Sequence, residues 1–325
     1  MKKVILLFIV FSIIFTFYSF ASVSYFLPVK NFKTYLTSAF GEYRPSMTKS
    51  VSHFHMGVDF STAYRSGVPI AAVTDGYIEK IDIDDDDIYG YTVYIRHDDG
   101  YLSVYAHLSK FGDNLSYLFE SLKKEFGKNR IEIFFSPNEI RVKKGEIIGF
   151  SGQTGEALAP HCHLEIRDTQ KNIAINPLNF LSDFVTAPKG DIRILGLRIN
   201  GREVSIADKI HYFTGSLVNM EINATLKTDR NSLGLYKIEL YMDGVLVYQI
   251  LFDEISFDDF EAADVLFGRN SNASNYWYKL YSPETLSVVK LNKLPIEFPS
   301  ESAVKIVVED FWGRSKELKF RLLRR

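Results

Sequence analysis

His161-Cys162-His163-Leu164-Glu165-Ile166-Arg167 alternates polar and apolar residues without interruption. Side chains alternate across a β-strand, so this stretch predicts a strand with His161, His163, Glu165 and Arg167 on one face and Cys162, Leu164 and Ile166 on the other. Two earlier stretches read the same way. In His55-Met56-Gly57-Val58-Asp59-Phe60, His55 and Asp59 share a face opposite Met56, Val58 and Phe60. In Tyr101-Leu102-Ser103-Val104-Tyr105-Ala106-His107-Leu108, the set Tyr101, Ser103, Tyr105 and His107 opposes Leu102, Val104, Ala106 and Leu108. Each stretch has an apolar back and an imidazole-bearing front, so the expected fold is sheet with its chemistry on one side.

Around these stretches, from Tyr25 to about Leu181, short alternating strands are broken by glycine, and this part holds six of the seven histidines. One segment departs from the pattern. Leu115, Leu118, Phe119, Leu122 and Phe126 recur at helical spacing after a cap at Asp113 or Asn114, with Lys123 and Lys124 in the last turn and Gly127 beyond it. The spacing predicts one inserted amphipathic helix, followed by a strand at Ile131–Phe135 before Pro137. Its single apolar stripe requires a cover, either the flank of the domain or the rim of a groove over which it would lie as a lid. A polar junction at Thr186-Ala187-Pro188-Lys189-Gly190 leads into a second half whose hairpin signals are Asn200-Gly201 and Asp243-Gly244. Its closing pattern, Ala303–Glu309 then Asp310-Phe311-Trp312-Gly313-Arg314 then Lys316–Leu323, resembles the last hairpin of bacterial immunoglobulin-like modules, and a generic β-sandwich fits it as well. The expected organisation is mainly β: a leading segment 1–21, a domain 22–188 holding the chemistry, and an accessory β-sandwich (immunoglobulin-like) domain 189–325.

The 325 residues exceed one ordinary core and suggest two domains. With 46% hydrophobic and 24% charged residues, and only 20 Gly and 10 Pro, disordered, collagen-like and polytopic membrane classes fall away. The 26 Phe and 19 Tyr favour sheet. A net charge of −2 offers no electrostatic footprint for nucleic acid or for an anionic membrane surface. Cys162, the single cysteine, excludes an intrachain disulfide and a Cys-rich metal cluster. Lys2 and Lys3 precede an apolar stretch from Val4 to Phe17, and Ser19-Phe20-Ala21 offers a small-x-small cleavage site, which reads as a secretory signal. The alternative is an uncleaved membrane anchor. Either predicts an exported chain, in the periplasm, the cell envelope or the medium.

Two imidazoles and a carboxylate suit Zn²⁺, and three protein ligands leave a fourth position open, as in catalytic sites. Four histidines and one aspartate on the candidate faces suffice for three ligands and two imidazoles with another role.

At these residues the sequence resembles the lysostaphin-like (LytM-type) zinc metallopeptidases, which cleave peptide bonds in bacterial peptidoglycan. The resemblance covers roughly Leu36 to Pro177. It begins at Thr37-Ser38-Ala39-Phe40-Gly41-Glu42-Tyr43-Arg44 and passes through His55 to Asp59, Tyr105-Ala106-His107-Leu108-Ser109 and Lys144-Gly145-Glu146-Ile147-Ile148-Gly149. It closes on Gly152-Gln153-Thr154-Gly155 and Pro160 to Arg167. The resemblance implies an antiparallel-sheet groove, one Zn²⁺ per chain held by His55, Asp59 and His163, and His107 and His161 flanking the metal-bound water, where proton transfer and oxyanion stabilisation fall to the two jointly. It implies a peptidoglycan stem peptide or cross-bridge as substrate. Cys162 stands where the family usually has Leu and reads as a buried small hydrophobe. The link from Ser109 to Val142 is longer than is usual.

Of the remaining polar residues, His53 reads as an exposed loop histidine, His97 as part of a hairpin turn, and Asp82, Asp84, Asp85, Asp86 and Asp87 as a solvated hairpin tip. Two rival functions stand beside the wall peptidase: a non-catalytic scaffold or activator of other wall hydrolases, and a zinc peptidase acting on proteins.

Overall fold

The computed structural model describes residues 25–47, 50–84, 88–126, 130–282 and 285–325. The expected export segment, 1–21, and the acidic residues Asp85 to Asp87 lie outside these. No helix among the described residues is long and apolar enough to cross a membrane.

The first half is built of strands β1 (Leu36–Ser38), β2 (Tyr43–Arg44), β3 (His53–Phe54), β4 (Val58–Ser61), β5 (Pro69–Ala71), β6 (Gly76–Ile83), β7 (Thr92–His97), β8 (Leu102–Ala106) and β9 (Leu108–Phe111). Helix α1 (Asp113–Phe126) follows, then β10 (Ile131–Phe134), β11 (Arg141–Val142), β12 (Ile147–Ser151), β13 (His161–Asp168) and β14 (Ile173–Ile175). The principal sheet runs β1-β4-β13-β8-β7-β6-β10, antiparallel throughout, with β11 also on β6 and β14 on β13. A second sheet runs β5-β12-β9. Phe54, Met56, Phe60, Ile70, Tyr105 and Phe111, all fully enclosed, belong to one core fed by both sheets.

Register decides which side chains meet. β13 pairs with β4 so that His163 faces Asp59 and Cys162 faces Phe60, and the alternation read from the sequence holds for both strands. It does not hold for β8. There Leu164 pairs with Tyr105, Glu165 with Val104 and Ile166 with Ser103, so Tyr105 and Ser103 lie on the core face while Val104 lies on the face of Glu165. The Tyr105 hydroxyl accepts from the Val73 N–H at 2.8 Å, and Leu102, Val104 and Tyr94 form a separate small cluster on the other side. The expected strand ends at His107, whose φ of 60° breaks β8 from β9. His55 also lies off-strand, between β3 and β4.

Two smaller expectations are corrected and a third is extended. His53 is not exposed: it lies on β3 with 8% of its surface accessible. His97 does open the β7–β8 hairpin turn, its carbonyl accepting from the Gly100 N–H at 3.0 Å, but its ring lies inside the protein, donating through Nδ1 to the Asp75 carbonyl at 3.0 Å and accepting at Nε2 from the Ser103 hydroxyl at 2.7 Å. Asp82 and Asp84 are buried rather than solvated, and Asp82 pairs with Lys80 at 2.8 Å. α1 begins and ends as the spacing predicts, and it packs on β9 and β12 at the flank of the domain. Leu115 enters the core and Leu118 and Leu122 pack against it, so the lid alternative falls.

The second half begins with β15 (Gly190–Ile199), β16 (Arg202–Val204), β17 (Ile210–Phe213), β18 (Met220–Thr228), β19 (Ser232–Leu233), β20 (Lys237–Met242) and β21 (Val245–Leu251). It continues with β22 (Glu254–Ser256), β23 (Trp277–Lys279), β24 (Val289–Asn292), β25 (Glu301–Glu309) and β26 (Ser315–Arg324). Its sheets are β16-β15-β18-β19, with β23 on β18, and β17-β26-β25-β20-β21-β24. Both hairpin signals are used: Asn200 and Gly201 have φ of 49° and 76°, Asp243 and Gly244 of 48° and 84°, the paired positive values of a tight hairpin turn. The hairpin that prompted the immunoglobulin-like comparison, β25–β26, lies within the six-stranded sheet.

The halves are joined by backbone and side chain. β22 pairs with β14 and so extends the principal sheet. The Phe54 N–H donates to the Phe260 carbonyl at 3.0 Å, Tyr43 to Asp264 at 2.8 Å, and the Trp312 indole to the Val185 carbonyl at 3.2 Å. A Cβ on Gly41 would lie 2.2 Å from the Phe252 ring, so the contact is as close as glycine permits.

Candidate metal centre and active site

β4 and β13 lay Asp59 and His163 side by side on the face away from the core. His55 reaches them from the bend before β4, and Gly57 makes that approach possible: a Cβ there would stand 2.4 Å from the Leu164 carbonyl oxygen and 2.9 Å from the His163 ring. His55 Nε2 is 3.1 Å from Asp59 Oδ1 and 3.0 Å from His163 Nδ1, and His163 Nδ1 is 2.9 Å from Asp59 Oδ1. Across from them stand His161, with Nε2 3.4 Å from Asp59 Oδ1, and His107, whose ring lies 4.8 Å from that of His161 and 5.6 Å from that of His163. The donor atoms of His55, Asp59 and His163 lie within 4.8 Å of one another, as do those of His107, His161 and His163.

The outer hydrogen bonds fix which nitrogen faces inward. Nδ1–H of His55 donates to the Ala39 carbonyl at 2.8 Å, that of His107 to Thr154 at 2.9 Å and that of His161 to Ala159 at 2.8 Å. Each of these rings therefore turns an Nε2 lone pair toward the centre. His163 is reversed: its Nε2–H donates to Glu165 Oε1 at 3.0 Å, leaving Nδ1 inward, and Arg167 steadies Glu165 at 2.6 Å. Four imidazole nitrogens and a carboxylate oxygen thus converge in a nearly closed site, a set of lone pairs that repel unless a cation lies among them. The 2.9–3.1 Å separations of the inner three fall slightly short of the ~3.3 Å edge of a tetrahedron with bonds of ~2.0–2.1 Å, so this donor set fits a zinc-sized cation.

Electrostatics agree with ligand duty. Burial, aided by the nearby Arg44 charge, pushes His55 down to about 4, and burial together with His161 and His163 holds His107 well below the ordinary imidazole value, so both are neutral. Burial alone would raise Asp59, but His55, His161 and His163 hold it well below the usual carboxylate range. Burial would lower His163; hydrogen bonds to Asp59 and Glu165 outweigh it and raise the ring to about 9.

Two residues to which the sequence reading gave no role complete the centre. Arg44 reaches Asp59 Oδ2 at 3.3 Å and Glu42 Oε2 at 3.1 Å, which turns Oδ1 of Asp59 inward. Glu42 Oε1 in turn accepts from the backbone N–H of Ala39 at 2.9 Å and of Gly234 at 2.8 Å. The alternation of Tyr43-Arg44 gave no sign of this; only the position of Arg44 within the family-like segment pointed there. Cys162 is buried among apolar side chains and contributes nothing to the centre. His53 lines the cleft beside the His55–Asp59–His163 cluster, and His97 and His211 stand away from it. The cleft, about 360 Å3, is walled by Tyr35, Met47, Tyr64, Tyr89 and Leu158 and, from the second half, by Asn231, Phe260 and Ala273.

A sheet-borne cluster of histidines and one carboxylate at the floor of such a cleft is a centre of the metallopeptidase kind. Residues 53–115, which include His55, Asp59 and His107, match peptidase family M23. The chain is 34% identical over 134 residues to the DD-carboxypeptidase/endopeptidase Mpg of Neisseria meningitidis serogroup B, covering 41% of this chain and 24% of that protein. It is 30% identical over 137 residues to the glycyl-glycine endopeptidase ALE-1 of Staphylococcus capitis, covering 39% and 29%. Among solved structures, the catalytic domain of lysostaphin from Staphylococcus simulans aligns over 47% of this chain and 95% of that domain, at 25% identity and a TM-score of 0.33. The matched part spans about a quarter of the length of these curated relatives. Residues 53–115 are thus similar to peptidase family M23, and they lie in a mainly β fold.

Proposed function

We propose that the chain is an exported zinc metalloendopeptidase that hydrolyses peptide bonds in peptidoglycan stem peptides or cross-bridges, with one zinc per chain. The observation that carries this reading is the convergence of His55 Nε2, Asp59 Oδ1 and His163 Nδ1, with the Nε2 atoms of His107 and His161 opposite. His55, Asp59 and His163 would hold the zinc, which would supply Lewis acidity for peptide hydrolysis. His107, kept neutral by burial, can take the proton of the attacking water and return it to the departing amine. His161 faces the same point, and whichever ring is protonated becomes an N–H donor for the developing oxyanion. Arg44 and Glu165 hold Asp59 and His163 in the orientation this needs. The names of the relatives support the substrate class, and the basic-apolar start Lys2 to Ala21 supports export. All five residues are present, which favours an enzyme over a scaffold.

Digestion of purified sacculi with zinc-loaded protein should release peptide fragments identifiable by mass spectrometry, and casein should remain intact. Cleavage of casein with untouched sacculi would move the substrate class to proteins, and no cleavage of either would favour the scaffold.

A further inference from the structure

Sheet order sets β1 on one side of the metal centre and β8, leading into His107, on the other. The β1 side is closed by the second half of the chain. Asn231 Nδ2 donates to the carbonyls of Leu36 and Thr37, both at 3.2 Å, and so covers the β1 edge. The Phe260 ring packs 4.8 Å from that of His53. Beside them the loop 270–275 brings Ala273, exposed, to the wall of the cleft.

That loop is tied to itself and to the sheet behind it. Asn272 N–H donates to the Asn275 carbonyl at 2.8 Å, Asn275 Nδ2 to the Asn270 carbonyl at 2.9 Å and Asn223 Nδ2 to Asn275 Oδ1 at 2.8 Å. The buried Tyr276 hydroxyl donates to the carbonyl of Ala273 itself at 2.7 Å. A mere connection between two halves has no need of this bracing; a surface that must hold its shape against a ligand does. The residue it presents is also small, so the space in front of it is left to whatever enters the cleft.

We infer that the loop 270–275, with Phe260 and Asn231, is a fixed wall of the substrate cleft that limits the bulk of the peptide admitted on the β1 side. The second half of the chain is then a specificity element rather than only a tether. This rests on the proposed metallopeptidase function and deepens it: the room left in front of Ala273 sets how much side-chain bulk the site accepts on that side.

Ala273→Trp tests the wall from an exposed position outside the core. Two peptide hydroxamates sharing one metal-binding group, one with an alanine-sized residue and one with a branched residue directed to the β1 side, are titrated into zinc-loaded full-length protein by calorimetry. The variant should weaken the branched probe about tenfold or more and the small one less than about twofold, with zinc content and Tm unchanged. Equal weakening of both probes, or of neither, overturns the wall. Should Ala273→Trp lower the Tm, Ala273→Leu is read by the same ratio. Wild-type protein that binds neither probe overturns the metal-centre reading itself, an outcome distinct from a failed ratio.

Discussion

Two histidines stand across the candidate metal centre from its inner three donors, and the chain delivers them by different means. His161 opens β13 and points where strand parity sends it, on the face of His163 and Glu165. His107 follows β8, whose parity would send it to the core with Tyr105 and Ser103; a φ of 60° at His107 itself turns the ring to the other face. A residue bearing a Cβ pays roughly 1 kcal/mol or more for such a backbone. The difference teaches that a regular strand can place a group at no local cost, whereas the group facing it had to be placed by a departure from regularity, and the departure sits at the site.

The largest effect should come from the regular floor. Asp59→Ala and His163→Ala should each cut bound zinc from about one per chain to roughly a tenth or less by elemental analysis, with activity lost alongside. Full zinc in both variants would remove them from the ligand set. On the opposite side, His107→Ala and His161→Ala should retain near-normal zinc while losing about 10²-fold or more in kcat. If His107→Ala loses metal as Asp59→Ala does, the two sides of the centre are not distinct in role.

Much of the floor was legible. His161, His163, Glu165 and Arg167 follow from alternation alone, both hairpin turns follow from Asn-Gly and Asp-Gly, and α1 follows from its spacing. What periodicity could not carry is anything set by a single dihedral or by distance along the chain. The polar look of Ser103 and Tyr105 suggested an outward face, yet their hydroxyls serve the interior, meeting His97 Nε2 and the Val73 N–H. His53 reads as exposed in the sequence because no local signal marks burial by a partner such as Phe260. The Glu42–Arg44–Asp59 chain depends on a bond from Gly234, nearly 200 residues away, and the cleft wall at Ala273 depends on tertiary packing in the same way.

A smaller effect tests the corrected face of β8. Tyr105→Phe removes the oxygen that accepts from the buried Val73 N–H, so it should cost about 1–3 kcal/mol in denaturant unfolding and leave zinc and rate unchanged. A lost rate at unchanged stability would return Tyr105 to the cleft side.

The smallest effect separates the two histidines most sharply. Glycine adopts positive φ without the penalty a Cβ brings, and in an ordinary strand its extra freedom when unfolded makes it the poorer choice. At His107, with φ of 60°, the Gly variant should therefore be more stable than the Ala variant by about 0.5–1 kcal/mol. At His161, on regular β13, the order should reverse by a similar ~0.5–1 kcal/mol. Unfolding midpoints of the four zinc-free variants measure this, with metal absent so that ligand energetics do not enter. All four should share the loss of rate, since none carries an imidazole at its position. The same Gly-to-Ala order at both sites would mean that His107 is not held by the left-handed turn in solution, and its place opposite His163 would then need another cause.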